Sequence, residues 1–223
     1  MKIPAIQSAE KKLELSEVVI RPIETDFERS QVYRLRYDIY IEEMKRGTHG
    51  VDYATKQVFD EMDESAILLG AFYHGRMVGT ARLNFSSDTV FSKSDLYQFE
   101  VFEKTYPKGV LMITKAMVAK EWRGSMLFFE MVKAMHNIAL ERNAQVSLLD
   151  CNDHLVGTYE KIGFRSYRGR VFDEEYGWVT PMAMLHADET YLREVRSPLL
   201  LNLKRFERHA EANRQKVAQR EMA

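Results

Sequence analysis

Residues 110–164 read VLMITKAMVAKEWRGSMLFFEMVKAMHNIALERNAQVSLLDCNDHLVGTYEKIGF. The bounded apolar run 110–118 has the length of a buried strand. The turn Glu121-Trp122-Arg123-Gly124-Ser125 passes the chain directly into a helix, on which Leu127, Met131, Ala134, Met135 and Ile138 fall at i, i+4, i+7, i+8 and i+11. Those positions make one apolar stripe. A second strand, a short helix and a Gly-Phe that opens another strand follow. A strand that enters a helix through an Arg-Gly turn presents unpaired N–H groups at the positive end of a dipole, which is an anion site. An ordinary strand–helix connection has the same pattern.

Outward from this stretch, residues 17–23 (EVVIRPI) read as a first strand. Thr25-Asp26-Phe27-Glu28 has capping-box spacing, so a helix starts there and runs to about Met44. Gly47-Thr48-His49-Gly50 breaks it, and 47–59 is expected to be a mobile loop. Residues 65–73 and 76–85 are two strands joined by a tight turn at His74-Gly75. Strict alternation puts Val78, Thr80, Arg82 and Asn84 on one face of the second. An Arg in mid-strand requires a partner, because an unpaired buried charge costs several kcal/mol. Residues 92–104 are expected to form one or two short helices. After Phe164 comes a hairpin turning near Asp173-Glu174-Glu175, with Pro181 suited to an edge or a bulge. From Asp188 the pattern is helical. Leu199, Leu200, Leu203 and Phe206 form a stripe that the last ~15 residues lose. The expected division is one domain over 1–187 and a helical extension over 188–223.

The chain has 223 residues, 45% of them hydrophobic, and a formal net charge of −1. That is enough for a core and exerts no global pull toward nucleic acid or membrane. The single cysteine, Cys151, excludes an internal disulfide and suits a reducing cytoplasm. No apolar run approaches a membrane span, and the N-terminus has no secretory h-region. No metal-ligand pattern or internal repeat stands out.

The central stretch resembles the donor-binding half of the GNAT acyltransferase superfamily. The Arg-Gly turn after a strand and the run Thr158-Tyr159-Glu160-Lys161-Ile162-Gly163-Phe164, which looks like that superfamily's YEKxGF signature, carry the likeness. The resemblance implies an α/β fold of three layers: a mixed, mostly antiparallel twisted sheet flanked by helices, here with an added C-terminal helix. It implies that a thioester's pantetheine arm pairs along Met117, Val118 and Ala119. The phosphate would sit on Arg123, Gly124 and Ser125, and Tyr159 would protonate the leaving thiolate.

Four further features resemble one branch, the long-chain N-acyl amino acid synthases and the related acyl-homoserine lactone synthases. They are Arg34-Leu35-Arg36-Tyr37-Asp38-Ile39-Tyr40, Asp60-Glu61-Met62-Asp63, Gly79-Thr80-Ala81-Arg82-Leu83, and Met112-Ile113-Thr114-Lys115 where the branch typically shows E-I-S-R. Met112 in place of that Glu argues against a sulfonium acceptor and for an amino acid. The implied reaction moves a long-chain acyl group from an acyl-carrier-protein or coenzyme-A thioester to the α-amine of a free amino acid, with no tightly bound cofactor. A lactone synthase, an acetyl-coenzyme-A-dependent N-acetyltransferase and a non-catalytic acyl-binding module are the alternatives.

Amide formation needs a proton acceptor for the amine, donors for the oxyanion and an acid for the thiolate. The acidic cluster Asp60, Glu61, Asp63 and Glu64 is the candidate for the first, with Asp60 and Asp63 also able to hold the ammonium; Asp63 and Lys115 are carried as catalytic candidates. The resemblance implies N–H groups at a bulge near Ala116-Met117-Val118 for the second, and Tyr159 for the third. Arg36, Tyr40, Asp60 and Arg82 are acceptor-binding candidates. The competing reading for Arg36 and Arg82 is a brace to Asp60 or Asp63. Cys151 reads as a core residue. Met112, Met117, Met126, Met131 and Met135 suit either core filling or an acyl tunnel. The single glycine of the phosphate turn favours a carrier-protein donor. Arg165, Arg168, Arg170, Arg193, Arg196, Lys204, Arg205 and Arg208 are candidate docking residues for that acidic partner.

Overall fold

The computed structural model describes residues 14–91, 94–102 and 109–221, with 213–221 as backbone alone. The expectations for 92–93, 103–104 and the chain termini lie outside the described residues.

Strand β1 (Val18–Pro22) leads to α1 (Asp26–Tyr37), which continues as a π-helical turn over Asp38–Glu43. Thr25 caps α1 by accepting from Glu28 N–H. The Glu28 carboxylate completes the entry by bonding Glu24 N–H and Arg21. The segment 47–59 is not a plain loop. It folds into a small hairpin, β2 (Val51–Asp52) with β3 (Gln57–Val58), and Val58 is buried beneath Tyr37 and Tyr40. Asp52 stabilises its turn by accepting from Ala54 N–H, Thr55 N–H and the Thr55 hydroxyl.

β4 (Ile67–Tyr73) and β5 (Arg76–Phe85) form the expected hairpin, with His74 and Gly75 both at positive φ. Two short turns follow, α2 (Ser94–Tyr97) and a 3-10 turn over Phe99–Phe102. Then come β6 (Val110–Val118), α3 (Leu127–Glu141), β7 (Val146–Cys151) and α4 (Asp153–Ile162). The chain ends with β8 (Arg165–Ser166), β9 (Val171–Asp173), β10 (Gly177–Leu185), α5 (Glu189–Glu194) and α6 (Leu199–Glu221).

The large sheet runs β1-β4-β5-β6-β7-β10-β8, with β9 also on β10. All its pairs are antiparallel except β6 with β7. Helix α3 covers the face of β5 that carries Gly79, where a Cβ would come within 2.6 Å of Met131 Sδ. Helix α1 covers the opposite face, where Arg82 lies. Pro181 is in an interior strand, not at the sheet's edge. It falls between the end of β9 pairing at Val179 and the start of β8 pairing at Met182, where that side of β10 needs no donor.

Leu199 and Leu203 of α6 are buried, and Leu199 belongs to the main core. Asn202 ties α6 to α3 by donating to Asn137 Oδ1 at 2.8 Å and to His136 Nδ1 at 3.0 Å.

Candidate active site

β6 and β7 pair only over Val110–Met112 and Val146–Leu148, then separate. On its other side β6 stays on β5 as far as Val118 opposite Gly79. From Ile113 onward, therefore, the β6 edge facing β7 carries no ladder, and its N–H and C=O groups are left for another partner. The gap opens toward the π-helical turn as a polar cavity of about 200 Å3, lined among others by Tyr40, Arg46, Arg82, Tyr97, Lys115, Asp150 and Tyr159. Toward α3 it narrows to an apolar crevice under Val132, Met135 and His136. Ile113, Ala116, Leu149 and Tyr159 line both spaces.

The expected bulge lies on β6 at this gap. Arg82 is opposite Thr114 and Thr80 opposite Met117, so three steps on β6 face two on β5. Lys115 takes up the extra residue at φ 50°. Thr114 and Lys115 consequently face the same way. Thr114 Oγ1 accepts from Arg82 Nε at 2.9 Å, and Lys115 Nζ lies 3.3 Å from Asp60 Oδ2.

Asp60 and Asp63 form a reciprocal capping box. Asp60 Oδ1 accepts from Met62 N–H, and Asp63 Oδ2 accepts from Asp60 N–H, both at 3.0 Å. Asn84 anchors the turn to β5 by donating to the Met62 carbonyl. Arg36 donates to Asp63 Oδ2 at 2.8 Å, and Arg82 pairs with Asp60. Burial opposes the charge on Asp60, but Arg82 and Lys115 outweigh it and hold its carboxyl below the usual range. Burial, and then the neighbouring Arg82, push the Lys115 ammonium below its ordinary value.

Arg36 and Arg82 thus form the brace between α1 and β5. Asp63 is 1% exposed, with one oxygen on Arg36, and does not line the cavity. Tyr40 does line it. Its ring lies 6.5 Å from that of Tyr176 and 5.8 Å from Lys115 Nζ.

Tyr159 is held edge-on by Phe128 and Phe164. Helix α4 stops there because Gly163 adopts φ 124°, and a Cβ on it would come within 2.5 Å of Leu192 Cδ2. Burial pushes the Tyr159 phenol well above its ordinary value. It is protonated at neutral pH and has a proton to donate. Burial likewise raises the Cys151 thiol to about 12, which makes it a poor nucleophile.

Val118 and Ala119 close the β6 edge, where Ala119 N–H bonds the Val78 carbonyl. Gly124 has φ 78° and open space around it. Ser125 Oγ accepts from Leu127 N–H, and the α3 ladder begins with Glu130 N–H to Met126. The N–H groups of Phe128 and Phe129 therefore lack intrahelical partners. Arg123 is paired with Glu43 of the π-helical turn.

The five methionines do not form one tunnel. Met126 is exposed, and Met131 packs on Gly79. Met112 lines the polar cavity, Met135 the crevice. Most candidate docking cations are engaged: Arg165 with Asp188, Arg170 with Asp153, Arg193 and Lys204 with Glu189, and Arg168 with backbone carbonyls. Arg46, Tyr97, Asp150 and Tyr176 reach the cavity from four separate segments. Arg46 and Tyr97 lie in no motif, and nothing in the segments around Asp150 and Tyr176 marks a site role; only the fold brings the four together.

The fold is shared with solved structures. The N-acyl amino acid synthase FeeM from uncultured soil microbes matches with a TM-score of 0.66 at 14% identity, over 82% of this chain and 97% of that one. The CoA-dependent acyl-homoserine lactone synthase BjaI, with SAM and isopentyl-CoA, matches with a TM-score of 0.64 at 16% identity, over 81% and 90%. The AHL synthase LasI matches with a TM-score of 0.62 at 10% identity, over 78% and 93%. No curated protein matches the chain in sequence. The family described as N-acyl amino acid synthase FeeM matches residues 31–188. With its split sheet, bulged β6 and Tyr159 helix, the chain belongs to that family of N-acyltransferases.

Proposed function

We propose that this N-acyl amino acid synthase takes a long-chain acyl group from acyl carrier protein and transfers it to a free amino acid entering the polar cavity. The observation that carries the reading is the position of Tyr159, which lines both the polar cavity and the apolar crevice. A thioester laid along the unpaired edge of β6 has its carbonyl at that junction. Pantetheine pairs with Met117 and Val118, stopping short of Ala119, whose N–H and C=O are taken by Val78 and Trp122, and the phosphate rests on Gly124, Ser125 and the first turn of α3. A single-glycine turn whose Arg123 is already paired suits one phosphate better than a diphosphate, which favours the carrier protein over coenzyme A. The crevice is narrow, so the acyl chain enters by turning the flexible Met135 and Met184 side chains aside.

Lys115 takes one proton from the ammonium group. The amine then attacks the carbonyl carbon, and N–H groups at the Ala116 bulge hold the oxyanion. As the C–S bond breaks, Tyr159 protonates the thiolate and recovers the second proton that the nitrogen sheds. Lys115 returns its proton to solvent. Asp60 and Tyr40 position Lys115, and the Arg36–Asp63 and Arg82 pairs hold Asp60 in place. Met112 puts a thioether where the resembled lactone synthases carry a carboxylate, which favours an amino acid over a sulfonium acceptor. Residues 1–187 act as the catalytic domain, and 188–223 as an added helical segment buttressing α3. A lone buried cysteine suits work in the cytoplasm.

Lipid mass spectrometry of cells expressing the chain, against empty vector, tests the reading. New long-chain N-acyl amino acids are expected. Acyl-homoserine lactones in their place would overturn the acceptor assignment.

A further inference from the structure

Three basic side chains line the polar cavity: Arg46, Arg82 and Lys115. Arg82 and Lys115 are both committed to Asp60. Arg46 has no carboxylate partner among the described residues. Its nearest aromatic contact is the Tyr176 ring, whose centroid lies 5.0 Å from Arg46 Cζ. Glu175, beside Tyr176, is bonded instead by the Thr48 hydroxyl. Arg46 is half-buried, so its charge is only partly hydrated.

The backbone places Arg46 deliberately at this wall. The π-helical turn closes with Met44 N–H on the Ile39 carbonyl and Arg46 N–H on the Tyr40 carbonyl, both at 2.9 Å. Lys45, between them, is at φ 53°. A non-glycine residue in that region is strained, and here it turns the chain so that Arg46 follows Tyr40 to the cavity wall. A guanidinium resting on an aromatic face keeps the N–H fork at its rim free. That fork matches a carboxylate bidentately.

We infer that Arg46 binds the α-carboxylate of the acceptor and so makes the enzyme select amino acids over plain amines. The inference rests on the acceptor entering the polar cavity, as proposed above. It moves the carboxylate contact away from Arg36 and Arg82, whose charges are spent within the brace. It also sets the polarity of the bound acceptor: the carboxylate lies toward the π-helical turn, leaving the amine toward Lys115 and the thioester.

The test uses the purified full chain with an acyl thioester and three acceptors: phenylalanine, its amide and phenethylamine. The free amino acid is expected to be the preferred substrate of the wild type. Arg46→Ala is expected to raise the KM for phenylalanine about 10–100-fold, the loss of one charge-assisted contact, with kcat little changed. The same variant should leave phenethylamine turnover as it was, and Arg46→Lys should fall between. Equal use of phenylalanine and phenethylamine by the wild type would overturn the inference, as would an unchanged KM in Arg46→Ala. A wild type that acylates amines but no amino acid would overturn the acceptor reading itself, and this inference with it.

Discussion

Arg36 Nη1 lies 2.8 Å from Asp63 Oδ2, and neither side chain reaches solvent. A buried ion pair of this kind is costly to break from one side, because the survivor keeps its charge in a poor solvent. Here the pair joins α1 to the capping-box turn beneath the polar cavity. Arg36→Met is expected to lower the unfolding free energy by about 3–5 kcal/mol, read by urea denaturation. The Arg36→Met, Asp63→Leu double variant should recover most of that. If Asp63 were instead the proton acceptor, Asp63→Asn would abolish turnover at unchanged stability.

Tyr159→Phe keeps the ring packing on Phe128 and Phe164 and removes only the proton. Turnover is expected to fall roughly 10²–10⁴-fold, the usual worth of a positioned general acid, with the KM for both substrates and the melting temperature nearly unchanged. Steady-state kinetics on a long-chain acyl thioester measures this. Full activity in the variant would remove Tyr159 from the mechanism.

Lys115 carries a pH signature. Burial and Arg82 hold its ammonium below the ordinary lysine value, so its free-base form appears at lower pH than that of a surface lysine. Activity is therefore expected to rise with pH through that lowered pKa. Lys115→Arg retains a positive charge beside Asp60 but has no accessible free base. A variant with low activity and no matching rise in its pH profile is the expected outcome, measured as kcat/KM against pH relative to wild type.

Acid stability should follow the buried histidines. His136 and His186 lie with ring centroids 5.1 Å apart, and burial lowers their pKa values to about 4 and about 3. Both are neutral in the folded chain, whereas in the unfolded chain they take up protons below the ordinary 6.5. The unfolded state thus binds more protons between pH 6.5 and 4, so stability is full above 6.5 and declines as pH falls through that window. Each histidine contributes a slope of about 1.4 kcal/mol per pH unit there. Urea midpoints measured from pH 7 to 4 should show the decline, and His136→Gln should reduce its slope by about half, leaving the His186 share.

The sequence by itself determined the order of the main elements (β1, α1, β4, β5, β6, α3, β7, α4 and the closing hairpin of β9 and β10), because apolar period, capping residues and turn glycines are local properties. It also determined that Arg82 needs a partner, since a charge in mid-strand is legible along one segment. The Gly163 stop after Tyr159 was legible for the same reason. Only the tertiary structure decided that the 47–59 segment folds as a hairpin with Val58 buried, because that depends on Tyr37 and Tyr40 covering it. It alone decided that Asp63 is sealed while Asp60 stays partly exposed, two carboxylates three residues apart with different roles. The splay of β6 from β7 after Met112, and the gathering of Arg46, Tyr97, Asp150 and Tyr176 around the resulting cavity, are likewise tertiary facts. Burial and charge pairing are set by what other segments bring to a residue, and no spacing within its own segment encodes them.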